Sequence, residues 1–172
     1  MKKIIIVGPP GSGKTTLSLK LSKIIHTQVY HLDRLYWLPG WKMMTKQEIT
    51  QIEDEMFSHE KWICDGYYQD TFLNRLTRAD CIVFLDFNRY KCIQRILKRK
   101  FKQLFCSRTD LAPGCPDTLD KTFLKYVWNY PDRQCNDIRS ILCSLDEKEV
   151  YILKNSNDVK MFLLDVANNG NR

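Results

Sequence analysis

No apolar run in the chain is long enough to cross a bilayer. The longest uncharged one, IIIVGPPG, is interrupted by glycine and proline. Glycine and proline are scarce, 7 and 6 of 172 residues, which excludes collagen-like and low-complexity chains. The seven cysteines are odd in number and widely spaced, with no C-x-x-C, so neither a disulfide scaffold nor a zinc ribbon is expected. A zinc site on Cys106 and Cys115 would need two further ligands, and no histidine follows His59. The opening MKKIIIVG starts like a secretory signal, but its apolar run ends after four residues at Gly8. It is expected to be a buried strand of a cytoplasmic protein whose cysteines stay reduced. Acidic residues are missing from one stretch altogether. Between Asn88 and Arg108 lie eight basic residues and no acid.

What is present suits one domain over residues 1–172: 44% hydrophobic residues and a formal charge of +7. The excess charge is local, because setting aside those eight residues leaves 19 basic against 20 acidic ones. Arg95 and Arg99 stand with Lys91, Lys98 and Lys102 at helical spacing, opposite an apolar stripe. Like charges crowded on one helix face favour an anionic partner over a merely solvated surface. Nucleotide phosphates are the favoured partner, nucleic acid the competing one, and no membrane partner is expected.

Apolar runs alternate with amphipathic stretches along the chain. Ile4–Val7, Gln28–Leu32, Lys61–Asp65, Asp80–Asp86 and Val150–Leu153 read as strands. Helices are expected at Thr15–Ile25, from the capping box of Thr45 and Glu48 to about His59, at Asn88–Phe105 and at Val159–Ala167. Another helical segment is interrupted at Pro131. Strands alternating with helices predict an α/β fold, a parallel sheet covered on both faces. Ligands in such sheets bind at the carboxyl ends of the strands. That rule selects Gly8–Lys14, Asp33, Asp65–Gly66, Asp86–Phe87 and Lys154–Asn157, with Asn155 in the last loop a candidate for contact with bound nucleotide.

Gly8-Pro9-Pro10-Gly11-Ser12-Gly13-Lys14-Thr15 satisfies G-x-x-x-x-G-K-[ST], after a strand and before a helix. Such a loop turns backbone N–H groups toward phosphate oxygens and adds the positive end of a helix dipole. Lys14 is expected to reach the β- and γ-phosphates, and Thr15 to offer its hydroxyl to Mg2+. The chain has no N-K-x-D motif of a GTPase and no LSGGQ-like signature of a transport ATPase. Its small size favours a phosphotransferase that closes over ATP and a small acceptor.

Three carboxylates stand at the rim. Asp65 is the first choice to face Mg2+, directly or through water, with Asp86 its rival. Asp86 could instead cap the following helix. Asp33 lies in HLDRLYWLPGW, with an arginine and three large aromatics. That mixture suits a group that orients an acceptor. Arg133 and Arg139 in PDRQCNDIR are further candidates to stabilise transferring charge. The histidines are assigned no catalytic role.

GPPGSGKTT, HLDRLYWLPGW, KWICDGYY, CIVFLDFNRYKCIQRILKRK, APGCP and FLKYVWNYPDR together resemble the bacterial DNA topology-modulation protein family, adenylate-kinase-related P-loop proteins. The resemblance runs over nearly the whole chain. It implies a three-layer nucleotide-kinase fold with strand order 2-3-1-4-5 and a lid at about 100–118. It places ATP on Gly11, Gly13, Lys14, Thr15 and Thr16, beside Gly8 and Ser12. It also puts Arg95, Arg99, Arg133 and Arg139 where nucleotide kinases carry lid-side arginines, Arg95 and Arg139 most firmly. One departure stands out. The D-G-[FY]-P-R run of adenylate kinases, whose arginine grips the acceptor phosphate, here reads Asp65-Gly66-Tyr67-Tyr68-Gln69-Asp70. Arg34 and Arg75 are the candidates to replace that arginine.

Overall fold

A computed structural model of the chain describes residues 1–102, 111–116, 119–145 and 148–169. The elements run β1 (Lys3–Val7), α1 (Lys14–Ile25), β2 (Val29–His31), α2 (Leu32–Leu35), β3 (Trp37–Leu38), β4 (Lys42–Met43), α3 (Lys46–Ser58), β5 (Trp62–Asp65), α4 (Gln69–Arg78), β6 (Cys81–Leu85), α5 (Arg89–Lys102), α6 (Lys121–Asn129), α7 (Gln134–Leu142), β7 (Glu149–Leu153) and α8 (Ser156–Asn169). Much of the expected lid, residues 103–110, 117 and 118, lies outside the described residues, and with it Cys106 and Arg108.

Five strands form one parallel sheet in the order β2-β5-β1-β6-β7. Leaving out the two short strands of a separate antiparallel hairpin, β3 and β4, this is the expected order 2-3-1-4-5. The continuous apolar runs follow from burial on both faces. Along β1, Ile5 and Val7 enter one core with Met56 of α3, Phe72 of α4 and Ile138 of α7. Ile4 and Ile6 enter the other with Leu17 of α1, Ile96 of α5 and Phe162 of α8. Two cores on either side of one sheet make the three layers.

Local signals place several boundaries. Thr45 Oγ1 accepts from the Glu48 amide at 3.3 Å, and Glu48 Oε2 accepts from the Thr45 amide at 2.8 Å. The capping box therefore opens α3 as expected. Pro131 sits in a 3-10 turn, Tyr130–Asp132, between α6 and α7. Three features depart from expectation. Leu32 begins the one-turn helix α2 instead of extending β2. The hairpin Trp37–Met43 and the helix α4 were not anticipated. Helix α4 is held by Phe72 and Leu76 against a core that no window of ten residues displays. No helix among the described residues is long and apolar enough to cross a membrane.

Candidate active site

The loop between β1 and α1 is built to receive an anion. Gly13 precedes α1 with φ at +104°, and the first turn of α1 carries no acidic residue. The helix therefore presents its amino end without a side-chain anion of its own. Gly11, at φ +78°, lies so close to α5 that a Cβ there would stand 2.5 Å from the Cys92 carbonyl oxygen. Ser12 is 2% exposed, and its buried hydroxyl has no hydrogen-bond partner. A phosphate oxygen is a fitting acceptor for it. Lys14 folds back on the loop, its Nζ donating to Gly8 O at 2.8 Å and Pro9 O at 3.2 Å. Burial pulls its pKa below the ordinary lysine value, opposed by the charges of Asp33 and Asp65.

Helix α5 brings an arginine to this loop. Arg95 Nη1 donates to Ser12 O at 2.6 Å and Nη2 to Ser156 Oγ at 3.1 Å. Its guanidinium lies 4.6 Å from the centre of the Phe87 ring. Gly8, Gly11, Ser12, Gly13, Lys14, Thr15, Thr16, Arg95 and Arg99 all line one cavity of about 1040 Å3.

Two of the predicted carboxylates open onto the same cavity. Asp65, 4% exposed at the end of β5, has the Ser18 hydroxyl at 2.5 Å from its Oδ2. His31 Nδ1 is bonded to the same oxygen at 2.9 Å. Ser18 was not foreseen; its one signal is that it stands one helical turn after Thr15. Asp33, on α2, accepts from Tyr68 OH at 2.7 Å through Oδ1. Trp37 Nε1 donates to that same phenol at 2.8 Å. Burial first, then the Asp33 charge, raises the Tyr68 pKa far above its usual value. The phenol therefore stays protonated and can hold the carboxylate in place.

Mg2+ keeps several waters and needs few protein ligands. The Thr15 hydroxyl and the Asp65 carboxylate are such a donor set, and both line the cavity. Among the described residues no three His, Cys, Asp or Glu side chains gather as a dedicated metal cage.

Other predicted residues are not brought into the cavity. Arg139 is paired with Asp86, Nη2 to Oδ1 at 2.5 Å and Nε to Oδ2 at 3.2 Å, and lines no part of it. Asp86 therefore neither faces the phosphate loop nor caps α5. Asn88 supplies that cap, its Oδ1 accepting from the Tyr90 amide. Asn155 also caps, its Oδ1 accepting from the amides of Asn157 and Asp158 at the start of α8. Arg133 borders a small separate pocket beside α6. Neither candidate for the missing acceptor arginine takes that place. Arg34 is outside the cavity lining. Arg75 is fully buried, its Nη1 donating to Glu53 Oε1 at 2.8 Å beneath Tyr36. Cys115 Sγ donates to Leu38 O at 3.1 Å.

The parallel three-layer sheet and the glycine cradle at the tip of β1 define a P-loop protein of kinase-like fold. The chain belongs to the AAA domain family, whose model matches residues 4–103. It is 31% identical over 143 residues to the uncharacterized protein YqaC of Bacillus subtilis (strain 168), covering 81% of this chain and 78% of that one. Its fold is similar to shikimate kinase from Acinetobacter baumannii in complex with shikimate: TM-score 0.58, 15% identity, 96% of this chain and 90% of that one. It is likewise similar to deoxyadenosine kinase from M. mycoides with bound dATP: TM-score 0.53, 15% identity, the whole of both chains.

Proposed function

We propose that this protein is an ATP- and Mg2+-dependent phosphotransferase acting on a hydroxyl group of a small acceptor. One observation carries the reading: the phosphate cradle and the Tyr68-bound Asp33 carboxylate open into a single cavity of about 1040 Å3. That volume lies at the upper end of small-molecule sites, enough for a nucleotide and a second molecule side by side.

In this reading the loop amides, the Ser12 hydroxyl and the start of α1 hold the phosphates. Lys14 leaves Gly8 O and Pro9 O for the β- and γ-phosphate oxygens. Arg95, with Arg99, offsets charge on the transferring group. Asp33 orients the acceptor hydroxyl and accepts its proton as the oxygen bonds to the γ-phosphorus. The bond from that phosphorus to the β–γ bridging oxygen breaks, and ADP leaves with the electron pair. Thr15 and Asp65 would hold Mg2+, which supplies positive charge beside the phosphate oxygens when bound. Arg139 is given no direct part while Asp86 holds it, and Asn155 contributes through the cap of α8. The described residues act as one domain.

The competing reading, a nucleic-acid binder that modulates DNA topology, has less support. Arg95 and Arg99 line the cavity, Arg89 pairs with Asp132 and lies over Trp128, and Lys91 lies over the Phe87 ring. Two arginines of the basic helix are therefore turned into the cavity, and a third is paired at the surface. The test is ADP formation from Mg-ATP across a broad acceptor panel. Turnover dependent on acceptor and lost in Lys14→Ala supports the phosphotransferase. Confirmed ATP binding with no product from any acceptor overturns it, and salt-sensitive DNA binding in its place would favour the competitor.

A further inference from the structure

The cavity is divided by charge. Its cationic lining, Lys14, Lys20, Arg95 and Arg99, comes from the phosphate loop, α1 and α5. The lining from α2, the hairpin, the turn after β5 and α6 is aromatic and acidic: Asp33, Trp37, Trp41, Tyr67, Tyr68 and Tyr126. Among the described residues that half contributes no Lys, Arg or His. These groups share one neighbourhood. Tyr68 is bonded to both Asp33 and Trp37, Trp37 meets Trp41 edge to face at 5.5 Å, and the Asp33 charge is felt at Tyr126.

Such a wall selects by chemistry. A phosphate or carboxylate drawn against it would be stripped of water beside the Asp33 charge, with no cation among the described residues of this wall to meet it. Arg75 could not answer, being fully buried against Glu53. A planar heterocycle, by contrast, stacks on tryptophan and tyrosine faces whatever its sequence of donors and acceptors. Trp41 is 38% exposed, so part of its surface is open to such a ring. Tyr67 lines this wall, and its buried hydroxyl has no hydrogen-bond partner.

We propose that the acceptor is a nucleoside, a flat heterocycle on a sugar with a free hydroxyl and no phosphate or carboxylate. The fate of its hydroxyl rests on the phosphotransferase reading above, but its recognition does not. The wall stacks the base, Asp33 takes the sugar hydroxyl, and among the described residues of this wall no cation answers an acceptor that carries an anionic handle.

The experiment is equilibrium binding to the full chain with the phosphate loop saturated by a non-hydrolysable ATP analogue and Mg2+, followed by tryptophan fluorescence and calorimetry. The panel is adenosine, guanosine, cytidine and thymidine, their 5′-monophosphates, and shikimate and gluconate as carboxylated polyols. At least one nucleoside should bind tenfold or more tighter than its monophosphate, and the two carboxylates should not compete. In Asp33→Asn the disadvantage of the monophosphate should shrink severalfold, because the repelling charge is gone. Monophosphates or carboxylates binding as tightly as nucleosides, or no nucleoside binding, overturns the assignment. Nucleosides bound with this preference but never phosphorylated from Mg-ATP would leave the assignment standing and overturn the phosphotransferase. Phosphorylation confined to an anionic acceptor would do the reverse.

Discussion

Arg95 Nη1 donates to the Ser12 carbonyl oxygen at 2.6 Å, tying the middle of α5 to the turn of the phosphate loop. The bond spans 83 residues of sequence, and the same guanidinium lies over Phe87 and reaches Ser156. One side chain therefore ties the phosphate loop, the middle of α5 and the start of α8 together.

Replacing it with Arg95→Gln keeps a donor but removes the charge and the planar fork. A charge-assisted bond of this kind contributes about 1.5–3 kcal/mol. The melting temperature should fall by about 3–12 °C, because the bond to Ser12 O is lost, and nucleoside triphosphate affinity should fall by roughly 10–100-fold as the charge beside the phosphate loop goes. Calorimetric titration and thermal denaturation on the same variant check both halves.

Lys14 provides a pH signature. Burial lowers its folded pKa below its unfolded value. Between the two the unfolded chain binds more protons, so this group's contribution to stability rises with pH. Below the folded value both states are charged, and the penalty of the buried cation is present in full. Lys14→Met removes the titration. The stability of wild type relative to Lys14→Met should therefore shift in favour of wild type as the pH is raised from 7 toward 10. Denaturant midpoints measured across that range test it, and a pH-independent difference would contradict the burial of the charge.

Asp33 and Tyr68 should separate by role. If Asp33 takes the acceptor proton, Asp33→Asn lowers kcat by about 100- to 10,000-fold, the usual span for loss of a general base. Tyr68→Phe removes only the donor that positions the carboxylate, so its loss should be about tenfold. Steady-state kinetics on the two variants and their double mutant decide this. Equal losses, or fully additive ones, would remove the link between the residues.

Glu53 and Arg75 are an ion pair buried in the core, 2% and 0% exposed, with Tyr36 bonded to the same carboxylate. Arg75→Met leaves Glu53 buried and unpaired, which should cost about 3–5 kcal/mol. Arg75→Met with Glu53→Gln removes both charges and should recover most of that loss. Urea unfolding of the two variants measures it. Recovery would also show that Arg75 serves the fold and takes no part in gripping an acceptor.

Local pattern accounts for what is legible in the sequence. The P-loop is a contiguous motif, the capping box of Thr45 and Glu48 spans four residues, and the buried strands are unbroken apolar runs. Helix α4 escaped notice because its few core residues, Phe72 and Leu76, are embedded in a polar decapeptide. Ser18 escaped because a lone serine in a helix signals nothing until β5 brings Asp65 beside it.

The chain by itself therefore determined the phosphate loop, the alternation of strands and helices, and a single cationic stretch in an otherwise near-neutral chain. Tertiary structure decided what each charge does. It turned Arg95 onto the loop, locked Arg139 to Asp86, and sank Arg75 into the core against Glu53. It also gathered Asp33, Trp37 and Tyr68, from three separate segments, onto one wall. The physical reason is distance. An unpaired charge takes its role from the group that the fold places within 3 Å of it, and such partners lie tens of residues away along the chain.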